Sequence, residues 1–146
     1  MPPLSNSLVT RCQIRKAIEH AGGKAIAIQS DSGDAEAVTG AVEQTVSVFG
    51  GLDVLVNNAG REIPKKVEET TLAEFDRLFS VNVRGAFVAT HTALKHMKSG
   101  GRIIMIGSCV GERVLMPAMA PYSATKGAIK MFAQGLAREV GSAVSP

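Results

Sequence analysis

The chain alternates short apolar runs with amphipathic stretches, and this alternation constrains its fold more than any other feature. The runs of strand length lie at 24–29, 52–56 and 102–106, and the stretches of helical period lie at 11–21, 34–49, 71–98 and 122–140. This pattern predicts βα units and a mostly parallel, doubly wound sheet of the Rossmann-like type. With 146 residues the chain is long enough for one domain and too short for two, so we expect one α/β domain over 1–146.

Local signals define several ends of these elements. Thr71 is a predicted N-cap, and Glu74 three residues later completes a capping box. The runs at 52–56 and 102–106 are nearly all apolar, which is typical of strands buried on both faces. The segment Ser7–Thr10 resembles the end of a strand, although a helix is predicted directly after it.

Composition and charge exclude several classes of function. The net charge of +3 is modest, and one tyrosine without tryptophan offers little for base stacking, so we expect no nucleic-acid partner. No apolar run is long enough to span a bilayer, and the N-terminus does not resemble a signal peptide, so we expect no membrane partner. Cys12 and Cys109 lack ligand spacing, and the three histidines lack acidic partners at metal-site spacing, so we predict no metal site and a reducing, cytoplasmic setting.

Small and polar residues follow two of the apolar runs. Asn57-Asn58-Ala59-Gly60 follows Val56, and Gly107-Ser108 follows Ile106. Ligands in open α/β sheets bind outside the carboxyl ends of the strands, so these positions are where a site is expected. Ala and Gly would let a flat ligand approach closely, while an ordinary structural turn explains the first tetrad equally well.

Tyr122 and Lys126 are four residues apart on a predicted helix and therefore share one face. A free tyrosine has a pKa of about 10, which makes it a poor base near neutral pH. A lysine ammonium about 4 Å away supplies roughly 4 kcal/mol at an effective dielectric near 20, enough to favour the ionised phenol. Such a pair occurs by chance in many helices, but this is the only tyrosine in the chain.

Four ordered motifs together carry a resemblance to a known family. They are Asn57-Asn58-Ala59-Gly60, Asn82 in Val-Asn-Val-Arg-Gly, Ser108 after Ile-Met-Ile-Gly, and Tyr122-Ser-Ala-Thr-Lys126. In order and spacing the chain resembles the short-chain dehydrogenase/reductase family from about residue 11 to residue 140. The stretch 22–31 is also similar to the family's third strand with its terminal acid. The resemblance implies an NAD(P)-dependent oxidoreductase acting on a small alcohol or carbonyl, and general similarity suggests a 3-oxoacyl thioester reductase among these.

The resemblance also implies roles for individual residues. Tyr122 would exchange the hydroxyl proton, Ser108 would bind the reacting oxygen, and Lys126 would favour the phenolate and hold the nicotinamide ribose. Asn82 would interrupt its helix and anchor a water that connects Lys126 to solvent. The cofactor would contact Asp31, Asn58, Ala59, Gly60, Tyr122 and Lys126. Asn82 as a mid-helix hydrogen-bonding residue, Asp31 as a helix cap and Cys109 as a small buried thiol are the plainer alternatives.

The sequence departs from the family at both ends. No strand, glycine-rich turn and helix of the kind that receives a pyrophosphate is found, so we expect an incomplete sheet with first and last strands missing or shortened. In the doubly wound order the missing strands would lie between 24–29 and 52–56. NADP or NAD is the expected cofactor, and the basic charge favours NADP.

A second interpretation belongs to another class of function. The chain would be a catalytically inactive fragment that acts only as an oligomerisation module. In the family, helices matching 82–98 and 122–140 pack against the same helices of another subunit, so either interpretation predicts a homodimer or homotetramer.

Overall fold

The structure, a computed structural model, describes the backbone of residues 5–141 and the side chains of residues 13–141. Its helices and strands are α1 (Ser5–His20), α2 (Ala35–Phe49), β1 (Val54–Asn57), α3 (Leu72–Phe79), α4 (Gly85–Ala93), β2 (Arg102–Met105) and α5 (Ala120–Gly141). Short 3₁₀ turns lie at Val67–Glu69 and Cys109–Gly111, and a π turn at Ser80–Arg84 joins α3 to α4. Within residues 5–141, no helix has the length and apolar character needed to cross a membrane.

β1 and β2 form a parallel pair in which Val54 faces Arg102 and Asn57 faces Met105. Parallel neighbours need a crossover connection, and here it runs through α3, the π turn and α4. α4 packs against α2 and β1, while α5 packs against α3 and β2. The α/β class and the incomplete parallel sheet are therefore confirmed.

Three predictions about strands are wrong. Residues 24–29 are irregular, because a strand needs a hydrogen-bonded neighbour and the described strands pair only with each other. The segment Ser7–Thr10 lies inside α1, since so short a pattern cannot separate strand from helix and the following helical period extends into it. The strands are not buried on both faces: Val54, Val56 and Ile104 are 50%, 52% and 45% exposed.

Two predicted helices have different ends in the structure. The stretch predicted as one helix from 71 to 98 is divided by the π turn, and its last helix ends at Ala93. Lys95 and His96 then donate to carbonyls only three residues back, which tightens the chain into turns before Gly100 adopts φ 89°. The final helix begins at Ala120, two residues before its predicted start. The last residues, 143–146, which resemble the end of a strand, lie outside the described part.

The capping box predicted at α3 is present. Thr71 Oγ1 accepts a hydrogen bond from Glu74 N at 3.2 Å, and Glu74 Oε2 accepts one from Thr71 N at 3.0 Å. Lys65 Nζ donates to the other carboxylate oxygen at 2.5 Å. The Lys65 hydrogen bond, with that of Thr71, lowers the pKa of Glu74 from 4.5 to about 2.

This carboxylate predicts a pH dependence of stability. A carboxyl whose pKa falls on folding contributes stability that is complete above its unfolded pKa, here about 4.5, and is lost towards about 2. In Glu74→Gln we expect a lower urea midpoint than in the unchanged chain at pH 7. The difference should shrink as the pH falls from 4.5 towards 2. Glu68→Gln is the control, because Glu68 makes no ion pair among the described residues, and a similar loss there would contradict the assignment.

Candidate active site

Asn82 lies in the middle of the π turn that separates α3 from α4, where the resemblance implies an interruption of the helix. The side chain is 3% exposed and uses all of its hydrogen-bonding groups. Oδ1 accepts from Arg61 N at 2.8 Å, while Nδ2 donates to Arg61 O at 2.9 Å and to Thr125 Oγ1 at 3.0 Å. One amide therefore connects the loop after β1, the π turn and α5.

Lys126 projects from α5 towards the carboxyl end of the sheet. The residue is buried, and Nζ donates to Ile106 O at 2.8 Å, directly after β2. A Cβ placed on Gly60 would lie 3.8 Å from Nζ and 3.7 Å from Asn82 Oδ1, so the turn after β1 meets the same ammonium group. Desolvation lowers the pKa of Lys126 from its usual value, because burial disfavours the charged form. An ammonium group has three donors, and Ile106 is the only acceptor among the described residues.

Tyr122 lies in the first turn of α5, after Pro121, whose fixed φ suits a helix start. The Lys126 Nζ atom is 5.8 Å from the centroid of its ring. The side chain is half-buried, and its phenol hydroxyl makes no hydrogen bond to any described residue. The hydroxyl is therefore available to an incoming oxygen atom.

Ser108 follows β2 in an extended conformation (φ −161°, ψ 151°) and precedes the 3₁₀ turn Cys109–Gly111. Its Oγ accepts from Val110 N at 3.4 Å. Gly111 lies so close to α5 that a Cβ there would come within 2.9 Å of the carbonyl carbon of Lys126. This backbone contact fixes the Ser108 turn against the helix that carries Tyr122 and Lys126.

Asp31 accepts hydrogen bonds from Arg77 Nη2 on both carboxylate oxygens, at 2.7 and 3.0 Å. These hydrogen bonds lower the pKa of Asp31. Asp31 shares a polar cleft of about 530 Å³ with Ala59 and Gly60, while Asn58 lines the neighbouring apolar cavity. The alternative of Asp31 as a helix cap is wrong, because Asp34 caps α2 by accepting from two backbone N–H groups.

A family model described as short chain dehydrogenase matches residues 5–144. The chain belongs to this family. The match covers the π turn, both strand ends and the Tyr122–Lys126 helix, so the resemblance noted from the motifs is confirmed.

Several members of the short chain dehydrogenase family are similar to the chain. An uncharacterized oxidoreductase from Methylorubrum extorquens is 49% identical over 125 residues, covering 86% of this chain and 50% of the relative. A probable tetrahydroxynaphthalene reductase from Zymoseptoria tritici is 38% identical over 94% of this chain and 51% of the relative. The crystal structure of a short chain dehydrogenase from Burkholderia cenocepacia in complex with NADP has 42% identity and a TM-score of 0.91, covering 94% of this chain and 56% of that one. The chain thus spans about half the length of the curated relatives it matches.

Sequence patterns do not predict three residues that contact members of the candidate site. Thr125 bonds to Asn82, Arg77 bonds to Asp31, and Gly111 lies against α5. Their partners are 43, 46 and about 15 residues away, so no local period marks them. Their common signal is only that each lies in a family motif or within about five residues of one.

The predictions for Cys109 and for the histidines can also be compared with the structure. Cys109 is exposed, so its prediction as a buried thiol is wrong: it begins a surface turn and not a packed strand. His96 Nε2 lies 3.0 Å from Glu43 Oε1, an exposed pair between two elements. Among the described residues, no group of three or more His, Cys, Asp or Glu side chains is arranged to hold a metal ion.

Proposed function

We propose that the chain carries the proton-transfer residues of an NADP-dependent reductase of the classical short-chain dehydrogenase type, which converts a small carbonyl compound to an alcohol. The observation that supports this most directly is the buried Lys126 ammonium, held by Ile106 O at 2.8 Å and 5.8 Å from the Tyr122 ring. A buried cation is costly unless it is paired, and such groups cluster at functional sites. Here the cation adjoins a phenol whose hydroxyl makes no hydrogen bond to a described residue.

The residues present fit the sugar and adenine ends of a nicotinamide cofactor. Lys126 retains two N–H donors without an acceptor among the described residues, which suits the hydroxyl groups of a ribose. Asn58, Ala59 and Gly60 form an exposed turn whose small side chains permit close approach, and Asp31 accepts hydrogen bonds in the adjoining cleft. Within residues 5–141, no strand is followed by a glycine-rich turn and a helix, so these residues leave the pyrophosphate without its usual partner. NADP is favoured over NAD because the Burkholderia cenocepacia relative was crystallised with NADP.

The chemistry of each residue follows from its place. A nicotinamide cofactor, when bound, would supply hydride to the carbonyl carbon. The Tyr122 phenol gives its proton to the carbonyl oxygen, so that one hydride and one proton make the alcohol. The Ser108 hydroxyl donates a hydrogen bond to the same oxygen as negative charge develops on it. The Lys126 ammonium stabilises the phenolate that remains.

One relative favours a polyhydroxylated aromatic compound, reacting in a keto form, as the substrate class. The Zymoseptoria tritici protein is a probable tetrahydroxynaphthalene reductase, and its name gives a flat, hydroxylated ring system. We extend this class to the present chain, and a 3-oxoacyl thioester is the second candidate. Comparing turnover of the two classes with the same purified protein would choose between them.

Titration of NADPH into the purified chain, followed by fluorescence of the reduced nicotinamide, tests the cofactor proposal. We expect saturable binding in the micromolar range, weakened at least about tenfold by Lys126→Met, because hydrogen bonds from a charged donor are lost. Lys130→Met is the matched control, since Lys130 pairs with Glu112 at 2.8 Å instead, and it should change the Kd by no more than about twofold. Failure of both NADPH and NADH to bind would overturn the proposal.

We also propose that α4 and α5 form a surface for self-association. Phe87 is 52% exposed, with its ring 5.9 Å from that of Phe132, and Met131 is 64% exposed. Adjacent exposed apolar side chains favour burial against a second copy. Sedimentation velocity tests this, and a chain that remains monomeric at high concentration would contradict it. Association without any cofactor binding would instead favour an oligomerisation module alone.

A further inference from the structure

We propose that Thr125 is a positioning residue, whose hydroxyl holds the first turn of α5 against Asn82 and so sets where Tyr122 presents its phenol. The inference rests on the proposed function, since it concerns the residue that would transfer the proton. It goes beyond that function because Thr125 touches neither substrate nor cofactor in the proposed mechanism.

The direction of each hydrogen bond at Thr125 is fixed by its partners. The residue is fully buried, so water does not compete for the hydroxyl. Asn82 Nδ2 can only donate, and it does so to Thr125 Oγ1 at 3.0 Å. The single hydroxyl proton must then go to the Tyr122 carbonyl oxygen, which lies 2.7 Å away.

The orientation of the Asn82 amide is equally constrained. Oδ1 accepts from Arg61 N at 2.8 Å, and Nδ2 donates to Arg61 O at 2.9 Å. A reversed amide would set N–H against N–H at Arg61, so the donor must be the atom that faces Thr125. These bonds hold the π turn against the loop after β1. They thereby fix the position of the Asn82 Nδ2 atom that donates to Thr125.

The carbonyl that accepts from Thr125 belongs to Tyr122, the residue proposed to transfer the proton. In a helix the Tyr122 carbonyl is also the acceptor for the N–H of Lys126, four residues on. The Thr125 hydroxyl therefore holds the turn that separates the phenol from the ammonium group. Without it, α5 loses its side-chain hydrogen bond to the π turn, and Tyr122 can move relative to the site.

Because the chain has one tyrosine and no tryptophan, tyrosine fluorescence reports on Tyr122 alone. In Thr125→Val, which keeps the shape but lacks the hydroxyl, we expect quenching of this fluorescence by acrylamide to rise by about twofold. The reason is that the first turn of α5 opens more often once its side-chain hydrogen bond is lost, so the quencher reaches the half-buried ring more readily. Thr125→Ser, which keeps the hydroxyl, should be quenched as the unchanged chain is.

A matched control exists in α2, where Thr45 Oγ1 donates to Ala41 O at 2.8 Å. Thr45→Val removes the same kind of bond away from the site and should leave the quenching of Tyr122 unchanged. All variants should be quenched alike in urea, where the fold is lost. An increase in Thr125→Ser as large as in Thr125→Val would overturn the proposal, as would a folded Thr125→Val without an increase. If Thr125→Val does not fold, the Thr125→Ser result decides.

The quenching measurement does not depend on turnover, so it separates this inference from the proposed function. If NADPH binds and is oxidised, a second measurement applies: Thr125→Val should lower kcat at least about tenfold with an unchanged KM for NADPH, and Thr125→Ser should restore it. If NADPH does not bind, the proposed function fails, while the quenching of Tyr122 still tests whether Thr125 positions that residue.

Discussion

Tyr122→Phe is expected to lower kcat by about a thousandfold, since a positioned general acid contributes roughly 10²–10⁴ in rate. The substitution removes one oxygen atom, and that oxygen makes no hydrogen bond to any described residue. Neither the helix nor Lys126 loses a partner, so NADPH should bind within about twofold of its original Kd. Steady-state turnover and fluorescence titration of NADPH on the same preparations measure the two quantities.

The companion variant is Lys126→Met, because the two side chains are proposed to act as one unit. Residues that act together have non-additive effects, so the double variant should be no slower than about the slower of the single variants. Multiplied losses would show that the two groups act independently. Retention of more than about a tenth of the turnover in Tyr122→Phe would show that another group transfers the proton.

Local causes explain which parts of the fold the sequence predicts correctly. The capping box of Thr71 and Glu74 closes within four residues, so its pattern is complete in the sequence itself. The same holds for Gly50, which ends α2 in the left-handed conformation at φ 80° and donates to Val46 O. The cores of β1 and β2 are found for a similar reason, since each is a short apolar run followed directly by turn residues.

The misassigned run at 24–29 shows what sequence periodicity leaves out. It alternates as a strand should, but a strand is defined by the neighbour that accepts its hydrogen bonds. An apolar cavity separates this run from β1, lined on one side by Ile26 and Ile28 and on the other by Leu55 and Val56. Strand pairing is thus a property of two segments. The alternating pattern of one segment alone predicts strands that have no partner.

In the candidate site, too, local patterns are predicted from the sequence and contacts between distant residues are not. Tyr122 and Lys126 are predicted together because their spacing matches one helical turn, and Ser108 because it follows a strand. The hydrogen bonds from the Asn82 amide to Arg61 and Thr125 cannot be predicted from any sequence spacing, since these partners lie 21 and 43 residues away. Sequence predicts the residues that we propose to do chemistry, whereas the structure shows which side chains contact them.

The close approach at Gly85 gives the largest expected effect on stability. Gly85 is the first residue of α4 with φ −58°, so no unusual backbone angle requires a glycine there. The reason is steric: a Cβ would lie 2.2 Å from Ser32 O and 3.3 Å from its carbonyl carbon, both backbone atoms. Ser32 cannot easily move away, because Arg84 Nη2 donates to the next carbonyl oxygen, Gly33 O, at 2.6 Å.

Gly85→Ala should therefore lower the free energy of unfolding by about 3 kcal/mol, at the upper end of the usual range for overpacking. Helix propensity alone would change stability in the opposite direction by about 1 kcal/mol, and the clash outweighs it. Gly40→Ala is the matched control, because Gly40 lies inside α2 and nothing is within 4 Å of its Cβ position. That variant should be as stable as the unchanged chain or slightly more so. Urea unfolding of the three proteins compares the effects, and equal midpoints for Gly85→Ala and Gly40→Ala would show that the turn at Ser32 moves away from α4 at little cost.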